Sequence, residues 1–211
     1  MKSLSKACLV LILLIALPVP GALALGIVNG DFSNGFSGWT GTIVQDVNGQ
    51  AVPTPVNPSQ YPDYFTLLPG GGAALANDNT FYQIVLSQVF DVVPDTPYVL
   101  KFKYTWNPTD ASLDTFQASL AYWDGNEFGF PVDLFTSPPV AYVDPPFSGA
   151  FTSPTTGRAR LDFVLTDNDF VTPDTLGIQN VVTTNVPEPG TILLVGAGIL
   201  ALLPRLRRRR S

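Results

Sequence analysis

Two carboxylates lie close together in Trp123-Asp124-Gly125-Asn126-Glu127. A carboxylate pair flanking a glycosidic bond can act as general acid and as base or nucleophile, so Asp124 and Glu127 are the candidates for glycoside hydrolysis. The glycine between them and the turn-forming composition favour a hairpin turn instead. The chain has no histidine and one cysteine, Cys8, which excludes Ser-His-Asp and Cys-His catalysis and His-ligated zinc or haem. We therefore predict that the protein is not an enzyme.

Dense clusters of Asp and Asn could gather a divalent cation. Asp167-Asn168-Asp169 and Asn77-Asp78-Asn79 each place several side-chain oxygens within one short segment, and calcium is bound by oxygen ligands of this kind. Such clusters are also common turn formers, because Asp and Asn side chains hydrogen-bond to nearby backbone. Calcium at Asp78, Asp167 or Asp169 is thus one of two open interpretations, and no other cofactor is expected.

A sugar site needs exposed aromatic rings beside hydrogen-bonding groups. Trp123 is the first candidate, since strand alternation turns it away from the core-facing tyrosine before it. Tyr61 and Tyr64, in a proline-rich loop, are the next candidates. Trp39 and Trp106 are expected in the core.

The middle of the chain is patterned as β-strands that would position these side chains. Twenty prolines and 18 glycines leave little room for a helix between the two terminal apolar segments. From Tyr98 to Trp106, every second side chain is large and apolar, as in a strand with one buried face. The pattern predicts an all-β, two-sheet antiparallel sandwich. The segments expected as strands are 42–46, 81–92, 98–106, 116–122, 150–152, 161–166 and 176–183.

The first 24 residues have the order of a secretion signal. Lys2 and Lys6 precede the apolar run Cys8–Leu17, and Ala22 and Ala24 are the small residues that signal peptidase requires. The apolar run would form a helix roughly 15 Å long, against a bilayer core of about 30 Å. A cleaved signal helix within residues 1–24 is therefore favoured over a retained anchor.

The last residues combine a short apolar span with a basic cluster. Residues 191–203 are almost entirely apolar, and residues 205–210 include five arginines. The positive-inside rule keeps such a cluster in the cytoplasm and places the body of the protein across the membrane. The span covers roughly 20 Å as a single transmembrane helix, which suits a temporary anchor. A permanent single-pass anchor is the alternative.

With Pro187-Glu188-Pro189 in front of them, these two features resemble the PEP-CTERM sorting signal of Gram-negative bacteria, also described as the ice-binding protein C-terminal domain. The resemblance covers residues 185–211 and implies that a membrane-embedded exosortase recognises residues 187–189 and cleaves nearby. It implies an inner-membrane intermediate and then release to the cell surface or extracellular matrix, where exopolysaccharide is the partner to expect. It does not imply ice binding.

Removal of both ends leaves a strongly acidic body. Residues 25–186 contain 16 acidic and four basic residues, a net charge of −12 against −6 for the whole chain. This charge repels the phosphate backbone, so nucleic acid is excluded as a partner. It suits a soluble exported domain and attracts divalent cations.

The body also carries a resemblance. Asn29-Gly30-Asp31-Phe32, with Gly38-Trp39-Thr40 after it, resembles the opening of carbohydrate-binding-module jelly rolls related to galactose-binding domains, and residues 178–181 resemble their last strand. This implies a jelly-roll-like β-sandwich over residues 25–184. Some of these modules hold calcium through acidic residues at the positions of Ser33 and Gln179. Both are neutral here, so the resemblance does not carry that site over.

The leading interpretation is an exported, exosortase-processed, non-catalytic protein with a structural or adhesive role at the surface or in the matrix. The alternatives are a carbohydrate-binding module with a defined sugar site and, third, a carboxylate-based enzyme acting on polysaccharide.

Overall fold

The computed structural model describes residues 26–48, 50–77, 83–107, 114–137, 146–153, 157–168 and 174–186. The predicted signal helix in residues 1–24, the sorting motif at residues 187–189 and the predicted membrane span at residues 191–203 lie outside these ranges. Within them, no helix has the length and hydropathy needed to cross a membrane.

The described part of the chain contains eleven strands and one short 3-10 helix, Pro58–Gln60, joined by turns and loops. The strands are β1 (Thr40–Val47), β2 (Gln50–Val56), β3 (Phe65–Leu67), β4 (Ala73–Ala76), β5 (Gln83–Asp91), β6 (Pro97–Asn107), β7 (Thr115–Tyr122), β8 (Val132–Thr136), β9 (Pro146–Thr152), β10 (Arg158–Thr166) and β11 (Thr175–Asn185). They form a six-stranded sheet in the order β2-β1-β5-β10-β7-β8 and a five-stranded sheet in the order β3-β4-β11-β6-β9. Neighbouring strands are antiparallel throughout. The predicted two-sheet all-β sandwich is confirmed.

The core lies between the two sheets and is rich in aromatic rings. On β6 the predicted alternation is present, with Tyr98 and every second residue to Trp106 buried. Phe102 of the five-stranded sheet meets Phe163 of the six-stranded sheet edge-on, with ring centroids 5.1 Å apart. Burial of one such side chain contributes roughly 1.5–3 kcal/mol, so this aromatic contact is a main link between the sheets.

The strand prediction missed β2, β3, β4 and β8. The proline-rich stretch Pro53–Pro69, which includes Tyr61, was expected as a loop. This is wrong at both ends, because β2 runs through Pro53 and Pro55 and β3 spans Phe65–Leu67. Proline cannot donate to a ladder, but β2 is an edge strand whose only partner is β1. Pairing with β1 therefore makes residues 50–56 a strand, although their prolines locally favour a turn.

Candidate functional site

A row of polar side chains crosses the outer face of the six-stranded sheet. The strand registers place Thr40 of β1 opposite Ser87 of β5, Ser87 opposite Asp162 of β10, and Asp162 opposite Ser119 of β7. Residues that pair directly in antiparallel strands point to the same face. The row therefore runs perpendicular to the strands across four neighbours, over a distance of about 14 Å.

Asp162 is the charged centre of this row and is only 4% exposed. Arg160, two residues away on the same face of β10, donates from Nε to both carboxylate oxygens at 2.8 and 3.0 Å and from one terminal nitrogen at 2.9 Å. Ser87 Oγ donates to Asp162 Oδ1 at 2.7 Å. These bonds fix the carboxylate and the guanidinium in place, and Arg160 remains partly exposed.

The row forms the floor of a groove of about 570 Å³. Pro53 and Pro55 of edge strand β2 line it on one side, and Pro131, just before β8, lines it on the other. A second groove of about 530 Å³ adjoins it, since Thr40 and Pro55 line both. Val44, Val85 and Val164 also line the groove, and of the row only Thr40 is exposed. The floor is therefore an apolar surface crossed by a few polar groups.

Aromatic rings lie at the Arg160 end of the groove. Trp123 packs edge-on against Phe128, with ring centroids 5.1 Å apart. The guanidinium carbon of Arg158 lies 6.0 Å from the Trp123 ring, and that of Arg160 lies 5.2 Å from the Phe128 ring. Because Arg160 also lines the groove, it connects the rings to the polar floor. We call Trp123, Phe128 and the neighbouring Phe130 the aromatic platform.

Phe130 is the most unusual member of the platform. It is 98% exposed, whereas the other exposed large apolar side chains of the described residues are between 39% and 55% exposed. Leaving a phenylalanine fully in water forgoes roughly 1.5–3 kcal/mol of burial, and Phe130 directly precedes Pro131, which lines the groove. Sequence reasoning identified Trp123 but missed Phe128, Phe130 and Arg160.

The two tyrosine candidates lie elsewhere. Tyr61 directly follows the 3-10 helix and is 39% exposed. Tyr64 is half-buried and packs against the core. Neither lines the groove. The rings of the aromatic platform do not line it either, but they adjoin Arg160 and Pro131, which do. Trp39 and Trp106 are buried, as the sequence predicted.

Asp124 and Glu127 form the predicted hairpin turn. The backbone nitrogens of Asn126 and Glu127 donate to Asp124 Oδ1 at 2.8 and 2.9 Å, and Trp123 pairs with Phe128 across the turn. The backbone hydrogen bonds from Glu127 and Asn126 lower the pKa of Asp124. A general acid for glycoside hydrolysis needs a raised pKa, so Asp124 is unsuited to that role.

A cluster of three buried carboxylates lies at one end of the sandwich. Asp114, Asp167 and Asp174 each offer an oxygen within 4.8 Å of the others. Of the calcium candidates from the sequence, Asp167 belongs to this cluster, while Asp78 and Asp169 lie outside the described residues. Sequence reasoning missed Asp114, which is far from Asp167 along the chain, and Asp174, which a loop separates from it. One feature could have identified all three, because each aspartate directly adjoins the end of a strand.

The calcium positions of the carbohydrate-binding-module resemblance have a different local structure. Ser33 is exposed and donates from its backbone nitrogen and its hydroxyl to Asp31 Oδ1 at 3.1 and 3.0 Å. These bonds lower the pKa of Asp31. Gln179 is paired with Lys103 on β6. The two positions therefore supply no carboxylate.

Residues 185–210 match the PEP-CTERM protein-sorting motif. The match confirms the sorting signal recognised in the sequence and marks the chain as an exported protein that is processed by an exosortase. No curated protein matches the chain.

Solved structures share the fold at low sequence identity. The enzymatically active domain of tailspike protein 4 of bacteriophage CBA120 superposes with a TM-score of 0.51 at 15% identity, over 77% of this chain and 21% of that one. The chain thus spans about a fifth of that protein. A family 61 carbohydrate-binding module in complex with β-1,4-galactotriose has a TM-score of 0.45 at 17% identity, over 77% and 99% of the two chains. A family 22 xylan-binding domain has a TM-score of 0.46 at 13% identity, over 77% and 96%.

Proposed function

We propose that this protein is a non-catalytic adhesive protein of the cell surface or extracellular matrix that binds an extended polysaccharide in the groove of its six-stranded sheet. The observation that carries the proposal is the junction at Arg160, which joins a polar floor to the aromatic platform. Sugars present hydroxyl edges to polar groups and apolar ring faces to aromatic side chains, and both partners are available here.

The direction of the polar row supports an extended ligand. The row crosses the strands at right angles beneath the groove, and Thr40 and Arg160 are the polar side chains that remain exposed to a ligand there. Successive sugar units can lie along the groove without a chain end entering a closed pocket. Arg160 can donate to hydroxyl oxygens from nitrogens that Asp162 does not fully use. Exosortase processing would deliver the acidic body to the surface or matrix, where exopolysaccharide is abundant.

The absence of catalysis is part of the proposal. The one carboxylate pair that suggested hydrolysis is engaged in a turn, and the lowered pKa of Asp124 keeps it ionised. We expect no turnover of any polysaccharide that binds. Turnover that survives purification and is lost in Glu127→Gln would identify the protein as an enzyme instead.

Affinity electrophoresis through gels containing exopolysaccharides, with the full chain in a mild detergent, tests the binding. We expect retardation of the wild type, weaker retardation of Trp123→Ala, and no change for Tyr61→Ala, an exposed aromatic away from the groove. Equal retardation of the wild type and Trp123→Ala, or none across the polysaccharides of PEP-CTERM-bearing bacteria, would contradict the proposal.

The processing half of the proposal has its own test in cells. We expect the mature protein to lack the residues beyond the motif at residues 187–189, and a Glu188→Ala chain to accumulate uncut in the inner membrane. An intact tail on the mature wild type would instead indicate a permanent anchor.

A further inference from the structure

We propose that the groove selects uncharged polysaccharides over anionic ones, and that Asp133 contributes to this selection. The inference rests on the proposed function, since it names the class of polymer that the same groove takes. Two observations support it: the charges in the groove floor cancel, and exposed carboxylates border the groove and the aromatic platform.

The groove floor carries two charges that compensate each other. Among the described residues that line the groove, Arg160 and Asp162 are the charged ones, and those that line the adjoining groove are uncharged. Arg160 donates through two of its nitrogens to the Asp162 carboxylate at 2.8, 3.0 and 2.9 Å. The guanidinium has further N–H groups that can donate to a sugar hydroxyl, but the ion pair has no net charge to attract an anion.

The other basic residues of the body do not supply a positive charge to the groove. Lys101 and Lys103 are exposed on β6, which belongs to the five-stranded sheet, so they lie on the opposite side of the sandwich. Arg158 Nε lies 3.5 Å from Asp91 Oδ1, so a second carboxylate compensates its charge. These three and Arg160 are the four basic residues of the body.

Asp133 adds an exposed negative charge at the end of the polar row. It lies on edge strand β8, directly opposite Ser119, which is the β7 member of the row, and residues that pair directly point to the same face. Its side chain is exposed, and its Oδ2 accepts a hydrogen bond from the Gln117 side chain at 3.4 Å. A charged polymer that follows the row would therefore meet a carboxylate at this edge of the sheet.

The aromatic platform is also bordered by carboxylates. Asp124 and Glu127 are exposed and lie in the turn that joins Trp123 to Phe128. With Asp133 they make three exposed negative charges, on a body that has 16 acidic and four basic residues. Like charges repel, so uronate groups on a polymer would weaken its binding here. Uncharged sugars would keep their hydroxyl and ring contacts without this repulsion.

The experiment compares exopolysaccharides of PEP-CTERM-bearing bacteria in two forms by affinity electrophoresis. Neutral polymers are partly oxidised at C6 to uronates, and acidic polymers are carboxyl-reduced, so each pair shares a backbone and differs in charge. The full chain is used in non-ionic detergent with EDTA, which prevents divalent cations from bridging carboxylates. It carries Arg205→Gln and the same change at the four arginines of residues 207–210, because a basic tail would itself bind an anionic gel.

The ratio of the two affinities is the result that decides. At about 0.01 M salt, where the screening length is about 30 Å, the uncharged form should bind at least about tenfold more tightly than the charged form. At about 1 M salt, where that length is about 3 Å, the ratio should fall below about threefold. Equal binding of the two forms, or tighter binding of the charged form, would overturn the inference and leave the proposed function intact. Retardation by neither form of any polymer would overturn the proposed function, and the inference with it.

A matched pair of variants tests the contribution of Asp133. Asp133→Asn should raise the affinity for the charged form about two- to threefold at low salt, because a neighbouring charge is removed. Asp95→Asn makes the same change in net charge at an exposed residue of the turn between β5 and β6, which lines neither groove. Its φ of 52° is one that Asn tolerates, and the affinity should change by less than about 1.5-fold. Equal effects of the two variants would overturn the role of Asp133.

Discussion

The sandwich contains two buried carboxylate environments of opposite kind. In the floor of the groove, Asp162 is bound by Arg160 and Ser87. In the cluster formed by Asp114, Asp167 and Asp174, three buried carboxylates each place an oxygen within 4.8 Å of the others. Asp162 is therefore held against an opposite charge, whereas the cluster brings like charges close together.

The two regions also differ in what positions them. Asp162 lies inside β10, where ladders to β5 and β7 fix its register on both sides. The clustered aspartates lie just outside strands, where the ladders end. Central strands hold their side chains rigidly without help, while strand ends fray unless something binds them.

The largest expected effect comes from breaking the ion pair in the groove floor. Arg160→Ala should lower the free energy of unfolding by about 2–3 kcal/mol, because it leaves Asp162 as an uncompensated buried charge. Arg158→Ala is the control: its pair with Asp91 spans 3.5 Å between exposed side chains and should cost less than about 1 kcal/mol. Urea denaturation measures both, and equal losses would mean that Asp162 does not depend on its partner.

A smaller effect of opposite sign is expected at the cluster. At pH 8, Asp167→Asn should raise the free energy of unfolding by about 1 kcal/mol, because it removes one of three carboxylates that lie within 4.8 Å of one another. Asp162→Asn should lower it, since charge-assisted hydrogen bonds are lost. The comparison between the two carboxylates fails if both substitutions destabilise the protein equally.

The aromatic platform should affect binding and leave stability nearly unchanged. Phe130→Ala should weaken polysaccharide binding about 3–10-fold, equivalent to roughly 0.5–1.5 kcal/mol for one ring contact. Its unfolding free energy should stay within about 0.5 kcal/mol of the wild type, because the ring is 98% exposed. Retardation in affinity gels and urea denaturation measure the two quantities. A stability loss without a binding loss would give Phe130 a structural role instead.

The smallest effect concerns pH. Backbone hydrogen bonds from Glu127 and Asn126 lower the pKa of Asp124 in the folded protein. A lowered pKa contributes stability that is present above the unfolded pKa and is lost as the pH falls through the folded one, so the turn should loosen only below about pH 4. Carboxyl NMR shifts across an acid titration measure this. A titration midpoint for Asp124 above that of an aspartate in an unstructured peptide would mean that folding raises its pKa, and it would contradict this prediction.

The fold was predictable because its strongest strands obey simple alternation. β6 and β10 are central strands with one core face, and their periodicity is visible in the sequence. β2 was not predictable, because Pro53 and Pro55 are turn signals that only an edge position tolerates. β3 and β4 were missed although Phe65 and Leu75 are buried in the core, because strands of three and four residues are too short to show alternation. Local sequence therefore predicted the long strands with clear periodicity and missed the short and proline-containing ones.

The site was only partly predictable, for a related reason. Trp123 could be selected because one strand's alternation is sufficient to turn it outward. The row that joins Ser87 to Asp162 depends on the register between β5 and β10, and no pattern within either strand specifies that register. The carboxylate cluster likewise brings together Asp114 and Asp167 from distant parts of the chain. Pairing across strands creates both arrangements.

The central claim is that an extended polysaccharide occupies the groove beside the aromatic platform. Hydrogen–deuterium exchange of the full chain, with and without a polysaccharide that retards it in affinity gels, tests this claim most directly. We predict slower exchange in residues 123–131 and around Arg160 when the ligand is present, with no change in β9, an edge strand of the other sheet. Protection confined to β9, or none in residues 123–131, would contradict the account.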